Sequence, residues 1–371
     1  MLVNKGAVGF YVIQKALGVA PYMVSKGKFF VNEYMNIQSG IGSFLLSIYV
    51  LLCLHKVLHI PGKMLISYIT VSVASLSLFH VMFRQKAAVN ANNEIATVSA
   101  GLGKFIKIKY TKLLVLRVIE FLFSVSLVTG ISIFLVISSP QSEWYTCMGM
   151  VYAMSVRVLM VNHFLWLVYA VKINVVAINE LLDNRKNYVA EQLVEIAQLQ
   201  NQLRVCAINA NDAFSVPLLC WCIESFAKIC YTSYHLTICI LYPIFPTCGP
   251  EKNESFFIFL WYLIQLWYMI SLCHLTALAG IGTTKRVHRI LREIPNDQVI
   301  REELELFSFQ LGTKFNYNAS GFFVVDYTFL TTLAGLVTTY VIIFVQFFII
   351  DNSTDSRPIE AAALDIISRL Y

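Results

Sequence analysis

Six long stretches of this chain, 34–55, 64–83, 121–142, 229–250, 255–284 and 327–350, contain no Asp, Glu, Lys or Arg. A seventh, 144–171, holds a single charge, Arg157. A helix needs about 20 apolar residues to cross a bilayer, and an ionised group at its centre is costly. The spacing therefore predicts seven membrane-spanning helices. Composition agrees: 57% of the residues are hydrophobic and 13% charged, which leaves too little polar surface to cover a water-soluble globule. The same figures exclude a disordered chain, a collagen and a disulfide-dense secreted scaffold. The expected fold class is an all-α polytopic membrane protein. Pro243, Pro246 and Pro250 end the 229–250 window, so its helix should stop near Tyr242 and begin before Ile229.

Basic residues set the orientation. With a cytoplasmic N-terminus, the inside segments 1–33, 84–112, 172–212 and 285–320 hold 20 of the 28 Lys and Arg, and the outside segments hold 5. The C-terminus is then extracellular. The triplets at Asn253 and Asn352 fall outside on this topology and are candidate glycosylation acceptors, a weak signal because such triplets arise by chance. Lys5 and Lys15 interrupt the first apolar stretch, so no cleavable leader is expected. The domain reading follows: a cytoplasmic segment 1–33, a seven-helix domain 34–350 and an extracellular tail 351–371.

The charges that exist are concentrated. Segments 84–120, 172–228 and 285–326 carry 32 of the 50, close to the ordinary density of soluble protein. Leu193, Ile196, Leu199 and Leu203 recur at helical spacing, which predicts helices extending below the bilayer. Arg117 and Glu120 are three apart and Glu224 and Lys228 four apart, spacings suited to intrahelical pairs at cytoplasmic helix ends. His163 and His274 read as hydrogen-bonded core residues.

Several functional classes lack their residues. The inside N-terminus, and the absence of an Asn-Pro-x-x-Tyr turn in the last span, argue against a G-protein-coupled receptor. No H-E-x-x-H, G-x-S-x-G or phosphate-binding glycine loop is present, so neither an enzyme nor a cofactor is expected. The nine cysteines show no metal spacing. Cys147 and Cys248 both approach the outer surface, where a disulfide between them is an option. The net charge of +6 is explained by cytoplasmic loops facing anionic lipid, so nucleic acid need not be invoked. A transporter or a multi-pass enzyme remains the alternative class, although internal repeats and clustered carboxylates are missing.

The last span ends Thr339-Tyr340-Val341-Ile342-Ile343-Phe344-Val345-Gln346-Phe347. This run resembles the Thr-Tyr, five apolar residues, Gln-Phe pattern at the end of insect gustatory receptors. Gly321-Phe322-Phe323 is similar to the run that opens the same helix in that family. Leu17-Gly18-Val19-Ala20-Pro21 is similar to its pre-membrane segment. The resemblance implies a plasma-membrane, ligand-gated, non-selective cation channel. Four subunits of one or two kinds would place their last helices around a pore, and a small-molecule tastant would bind in the extracellular halves of the others. This chain departs from the pattern by continuing for 24 residues beyond Phe347.

The motif also has its own physical sense. Seven residues nearly complete two helical turns, so Thr339 and Gln346 share a face, as do Tyr340 and Phe347. Polar groups on either side of an apolar constriction suit a pore that gates by dewetting. In a tetramer, four Gln346 amides would ring the outer mouth, with Ile343 or Phe347 as the closing residue and Asp351 drawing inorganic cations. The competing explanation is that Thr and Gln hydrogen-bond between packed helices. On the ligand side, the outer halves offer Tyr152, Arg157, Tyr231, Tyr234, His235, Tyr262 and Gln265, an aromatic wall with few polar groups. That balance favours a bitter-type molecule over a bare sugar. Arg157 is either functional or held by a structural partner. The charged inner segments are expected to form a layer that anchors the subunits to one another.

Overall fold

The computed structural model describes Lys15, 22–25, 28–31, 33–57, 62–106, 144–184, 189–241, 250–293, 298–311 and 315–354. Charge-free windows become helices throughout the described part: α1 (Glu33–Val57), α2 (Gly62–Phe83), α4 (Trp144–Asn184), α5 (Ala190–Leu241), α6 (Pro250–Glu293) and α8 (Tyr327–Thr354). Two shorter, more polar helices complete the set, α3 (Gln85–Leu102) and α7 (Gln298–Gln310). The window 121–142 and the pair Arg117/Glu120 lie outside the described residues.

Helices α4, α5 and α6 run for 41, 52 and 44 residues without interruption. At 1.5 Å per residue they measure roughly 60–80 Å, about twice the hydrocarbon thickness of a bilayer. The extension expected from the inner charge density is thus continuous helix. α5 absorbs Pro217 without ending and stops at Leu241, next to the predicted Tyr242. Leu193, Ile196, Leu199 and Leu203 form its buried stripe, none more than 6% exposed.

Two short antiparallel hairpins depart from the all-α expectation. β1 (Tyr22–Ser25) pairs with β2 (Lys28–Val31), and β3 (Asn318–Ala319) with β4 (Phe323–Val324). The first is pinned to α3 by Asn93, whose side-chain amide accepts from the Phe29 N–H and donates to the Phe29 carbonyl, both at 2.9 Å. The second turns through Ser320 and Gly321 at φ 52° and 79°, a left-handed pair that glycine tolerates at little cost. The Gly321 N–H is held by the Asn318 side chain at 2.9 Å.

The chain divides into two compact units. The first comprises 1–224 and 269–327. Its core is built where α3 meets α4 and α5. Asn92 contacts the His163 ring at 3.3 Å, and that ring packs edge-on against Phe214. Asn209 reaches both oxygens of Glu94 at 3.1 Å, and burial pushes the Glu94 carboxyl above its usual range. Phe164 bridges Phe214 and Tyr317. Gly280 lies so close to Phe315 that a Cβ there would overlap the ring. At the far ends of α4 and α6, Asp183 accepts from both Arg286 and Arg289 at 2.7 Å. These bonds, chiefly that from Arg286, hold the Asp183 carboxyl below the usual range. The second unit comprises 225–268 and 328–371, of which α5, α6 and α8 are described.

Candidate functional site

Helix α8 is the feature that most needs explaining. Over Tyr327–Ile350 it is apolar enough to cross a membrane, yet only 6% of its apolar window is buried, against 67% for α4 and α5 and 39% for α6. Leu333 is its one buried residue between 327 and 350. A Cβ added at Gly335 would meet nothing within 4 Å. An apolar helix left open on most sides within its own subunit requires lipid or other copies of the chain around it.

Tyr327 at its start donates to the Ser271 hydroxyl of α6 at 3.0 Å, whereas the threonines farther along bond within the helix. Thr339 donates to the Gly335 carboxyl-side carbonyl of its own helix at 3.0 Å, Thr338 to Ala334 at 2.9 Å and Thr332 to Thr328 at 2.9 Å. These bonds satisfy each hydroxyl hydrogen within the helix. Gln346 and Ile343 are exposed, and Phe347 is 66% exposed. The Thr339 hydroxyl thus donates within its own helix. The Asp351 side chain lies outside the described residues.

What α8 does touch inside the second unit is α5, through aromatic rings. Phe226 meets Tyr340 edge-on at 5.7 Å between ring centres, and Tyr234 meets Phe344 in the same manner at 6.0 Å. Tyr340 and Phe344 are themselves neighbours at 6.2 Å. The contacts advance in the same direction along both helices, so α5 and α8 run parallel here. T-shaped aromatic pairs add about 0.5–1.5 kcal/mol each beyond their burial. Sequence reading set Tyr234 among ligand residues and Tyr340 among pore residues; the structure places both in one ladder. Phe226 and Phe344 complete it and were missed, because apolar residues in apolar helices carry no charge or spacing signal.

The other candidates sort by unit. In the second, His235 stacks on Tyr231 and its Nδ1 lies 3.1 Å from the Ser255 hydroxyl, tying α5 to the start of α6. Tyr262 is buried, and the Gln265 Oε1 is buried without a hydrogen-bond partner among the described residues. In the first unit, Tyr152 sets its hydroxyl against Gly42 of α1.

Arg157 has a structural partner. It is 5% exposed and lies 3.6 Å from the Glu224 carboxylate, which is fully buried and also accepts from the Thr70 hydroxyl at 2.9 Å. Three helices, α2, α4 and α5, meet at this pair. The Glu224 carboxylate thus meets a cation from another helix, in the core of the first unit. A carboxylate at zero exposure needs a counter-charge. Arg157, alone in its window, was the signal that an acid from another helix had to meet it.

Cys147 and Cys248 lie outside the described side chains. Cys239, not singled out from sequence, is disulfide-bonded, whereas Cys206, Cys220, Cys222, Cys230 and Cys273 are free and buried. Asn253 is exposed near the start of α6, while the Ser255 hydroxyl of its triplet is buried against His235. The side chain of Asn352 is outside the described set.

Several long apolar helices with a sparse set of buried polar contacts define a helical, multi-pass membrane protein. Residues 11–350 match the family model described as 7tm Chemosensory receptor, and the chain belongs to that family. Two Drosophila melanogaster proteins are similar in sequence: gustatory receptor 28a, 30% identical over 162 residues, and gustatory receptor 28b, 28% identical over 170. These alignments take in 41% and 43% of this chain and 35% and 34% of those proteins, so they span about a third of each relative's length. The fold is similar to that of the insect olfactory receptor OR5 from Machilis hrabei, with a TM-score of 0.65 over 92% of this chain and 98% of that one at 13% identity. The structure of OR5 in complex with eugenol gives 0.66 over 93% and 98%, again at 13% identity. These relatives are receptors rather than enzymes.

Proposed function

We propose that this protein is a gustatory receptor that works as a ligand-gated, non-selective cation channel in the plasma membrane. It assembles as a homo- or heterotetramer through seven membrane helices per subunit, with a cytoplasmic N-terminus and an extracellular C-terminus. A small-molecule tastant, bitter-type rather than a sugar, opens it. The observation that carries this reading is the exposure of α8: an apolar helix open on most sides, with Thr332, Thr339 and Gln346 along it, suits the lining of a pore shared by several copies. Thr339, Tyr340, Ile343, Gln346, Phe347 and Asp351 are the pore and gate residues in this reading. The complex of OR5 with eugenol supports a small aromatic ligand as the kind of molecule to test.

Within the second unit, Tyr231, Tyr234, His235, Tyr262 and Gln265 are the ligand-side residues, and the Gln265 carbonyl offers an acceptor to a ligand hydroxyl. Tyr152 is the ligand-side residue of the first unit, and Arg157 acts structurally through Glu224. The Tyr234–Phe344 and Phe226–Tyr340 contacts give α5 a direct grip on the pore helix. The inner helical segments anchor the subunits, and Asn253 and Asn352 are surface glycosylation acceptors. Whole-cell recording from cells expressing this chain alone, during perfusion of a panel of phenolic and alkaloid tastants, tests the proposal. An evoked cation current is expected. Substrate flux or turnover without current would favour a transporter or an enzyme instead.

A further inference from the structure

Tyr327 begins α8, and the chain just before it is fastened within the first unit at several points. The β3–β4 hairpin is held to α5, where the Asn318 N–H donates to the Asn211 side-chain oxygen at 2.7 Å. The Val325 N–H donates to the Tyr317 carbonyl at 2.8 Å, and the Val325 side chain is buried. Tyr327 adds the next tie. Its hydroxyl donates to the Ser271 hydroxyl of α6 at 3.0 Å, and its ring lies against the His274 ring, 4.5 Å between centres at 52°. Ser271 and His274 are three apart on α6 and so share one face of that helix. Between Tyr327 and Thr328 the chain leaves the first unit for the second. From there to residue 350 only Leu333 of α8 is buried.

The two ties nearest α8 differ in kind. Releasing Val325 would expose apolar surface that is now covered, so it is a fixed anchor. Tyr327 is 38% exposed, and a Phe in its place would cover much the same surface. What its hydroxyl adds is one neutral, part-buried hydrogen bond. Such a bond biases an equilibrium by about 2–10-fold, enough to favour one position and weak enough to break in use. We infer that Tyr327 is a positioning residue for gating: its bond to Ser271 latches the root of α8 in the closed state, and opening breaks it. A channel that waits for its ligand must favour the closed state without one, and a tie broken by movement of α8 contributes that preference. The gating role rests on the channel reading proposed above, whereas the latch stands apart from it.

The test has two arms, both on the full chain. In the first, amide hydrogen exchange of the purified protein is followed at 331–336, the first amides bonded within α8. Tyr327→Phe and Ser271→Ala should each speed exchange there by about 2–10-fold, and the double variant no further. In the second, whole-cell currents are recorded from the same variants, without agonist and with eugenol and quinine applied in turn. Both variants should raise the agonist-free current and lower the half-maximal concentration by about the same 2–10-fold. A structural role alone would reduce the maximal current and leave the half-maximal concentration where it was. Unchanged exchange in either single variant, or effects that add in the double one, would overturn the latch. Faster exchange with an unmoved or raised half-maximal concentration would overturn its gating role. Faster exchange in a chain that passes no current, wild type or variant, would uphold the latch and refute the channel reading, and the gating role with it.

Discussion

Replacing Glu224 by Leu strips Arg157 of its counter-charge in the core of the first unit. At 3.6 Å, and with an effective dielectric constant of about 20, the attraction between the two is roughly 4–5 kcal/mol. Removing one member of a buried pair costs about 3–5 kcal/mol, because the survivor stays buried and charged. The Thr70 hydroxyl, which donates to Glu224 at 2.9 Å, loses its acceptor and adds about 1 kcal/mol. Glu224→Leu and Arg157→Met should each lower the unfolding midpoint of the detergent-solubilised protein by about 5–10 °C. The double variant, with two apolar side chains filling the same space, should recover most of that loss, since well-packed apolar replacements of buried pairs are neutral or stabilising. The assay is a double-mutant cycle read by thermal unfolding and by the monodisperse fraction after heating. Losses that simply add in the double variant, or a Glu224→Leu protein as stable as wild type, would refute the pairing.

Three other perturbations give distinct readouts. Gln346→Ala should leave assembly intact and change single-channel conductance, ion selectivity or ligand response in patch-clamp recordings; no change in any of them would remove Gln346 from the pore. A methyl group at Gly280 would overlap the Phe315 ring, so Gly280→Ala should cost about 1–3 kcal/mol of stability, and an unshifted midpoint would show that the ring moves aside freely. Asp183 has a folded-state pKa below the ordinary carboxylate value, so its contribution is present above that value and lost as the pH falls through the lowered one. Asp183→Asn should therefore destabilise at neutral pH and approach wild-type behaviour in acid, and a deficit equal at both pH values would contradict the assignment.

The spans were legible because a bilayer forbids unpaired charge, and that rule writes itself into sequence as windows. Proline placed the end of α5 separately, Pro243 following Leu241 within two residues. The charge rule did not foresee that Glu224 meets Arg157, because spacing along a sequence shows only partners on the same helix. Periodicity found the buried stripe from Leu193 to Leu203, since solvent faces the other side of that part of α5. In membrane helices both sides are apolar, and the contrast that marks a face disappears. The rings of Phe226, Tyr234, Tyr340 and Phe344 are therefore four aromatic residues among many until helix packing sets the register of α5 on α8. The two hairpins escaped notice for a different reason. Isolated amides hold them, Asn93 for the first and Asn211 and Asn318 for the second, and such scattered side chains leave no pattern along a sequence.

The central claim is that α8 is open within one subunit because other subunits complete its surroundings. Imaging of the purified protein as single particles tests this most directly. The account predicts a fourfold particle in which the four copies of α8 stand nearest the symmetry axis, with Thr339 and Gln346 facing it. A monomeric or twofold particle, or a fourfold one with α8 on the lipid-facing periphery, would contradict it.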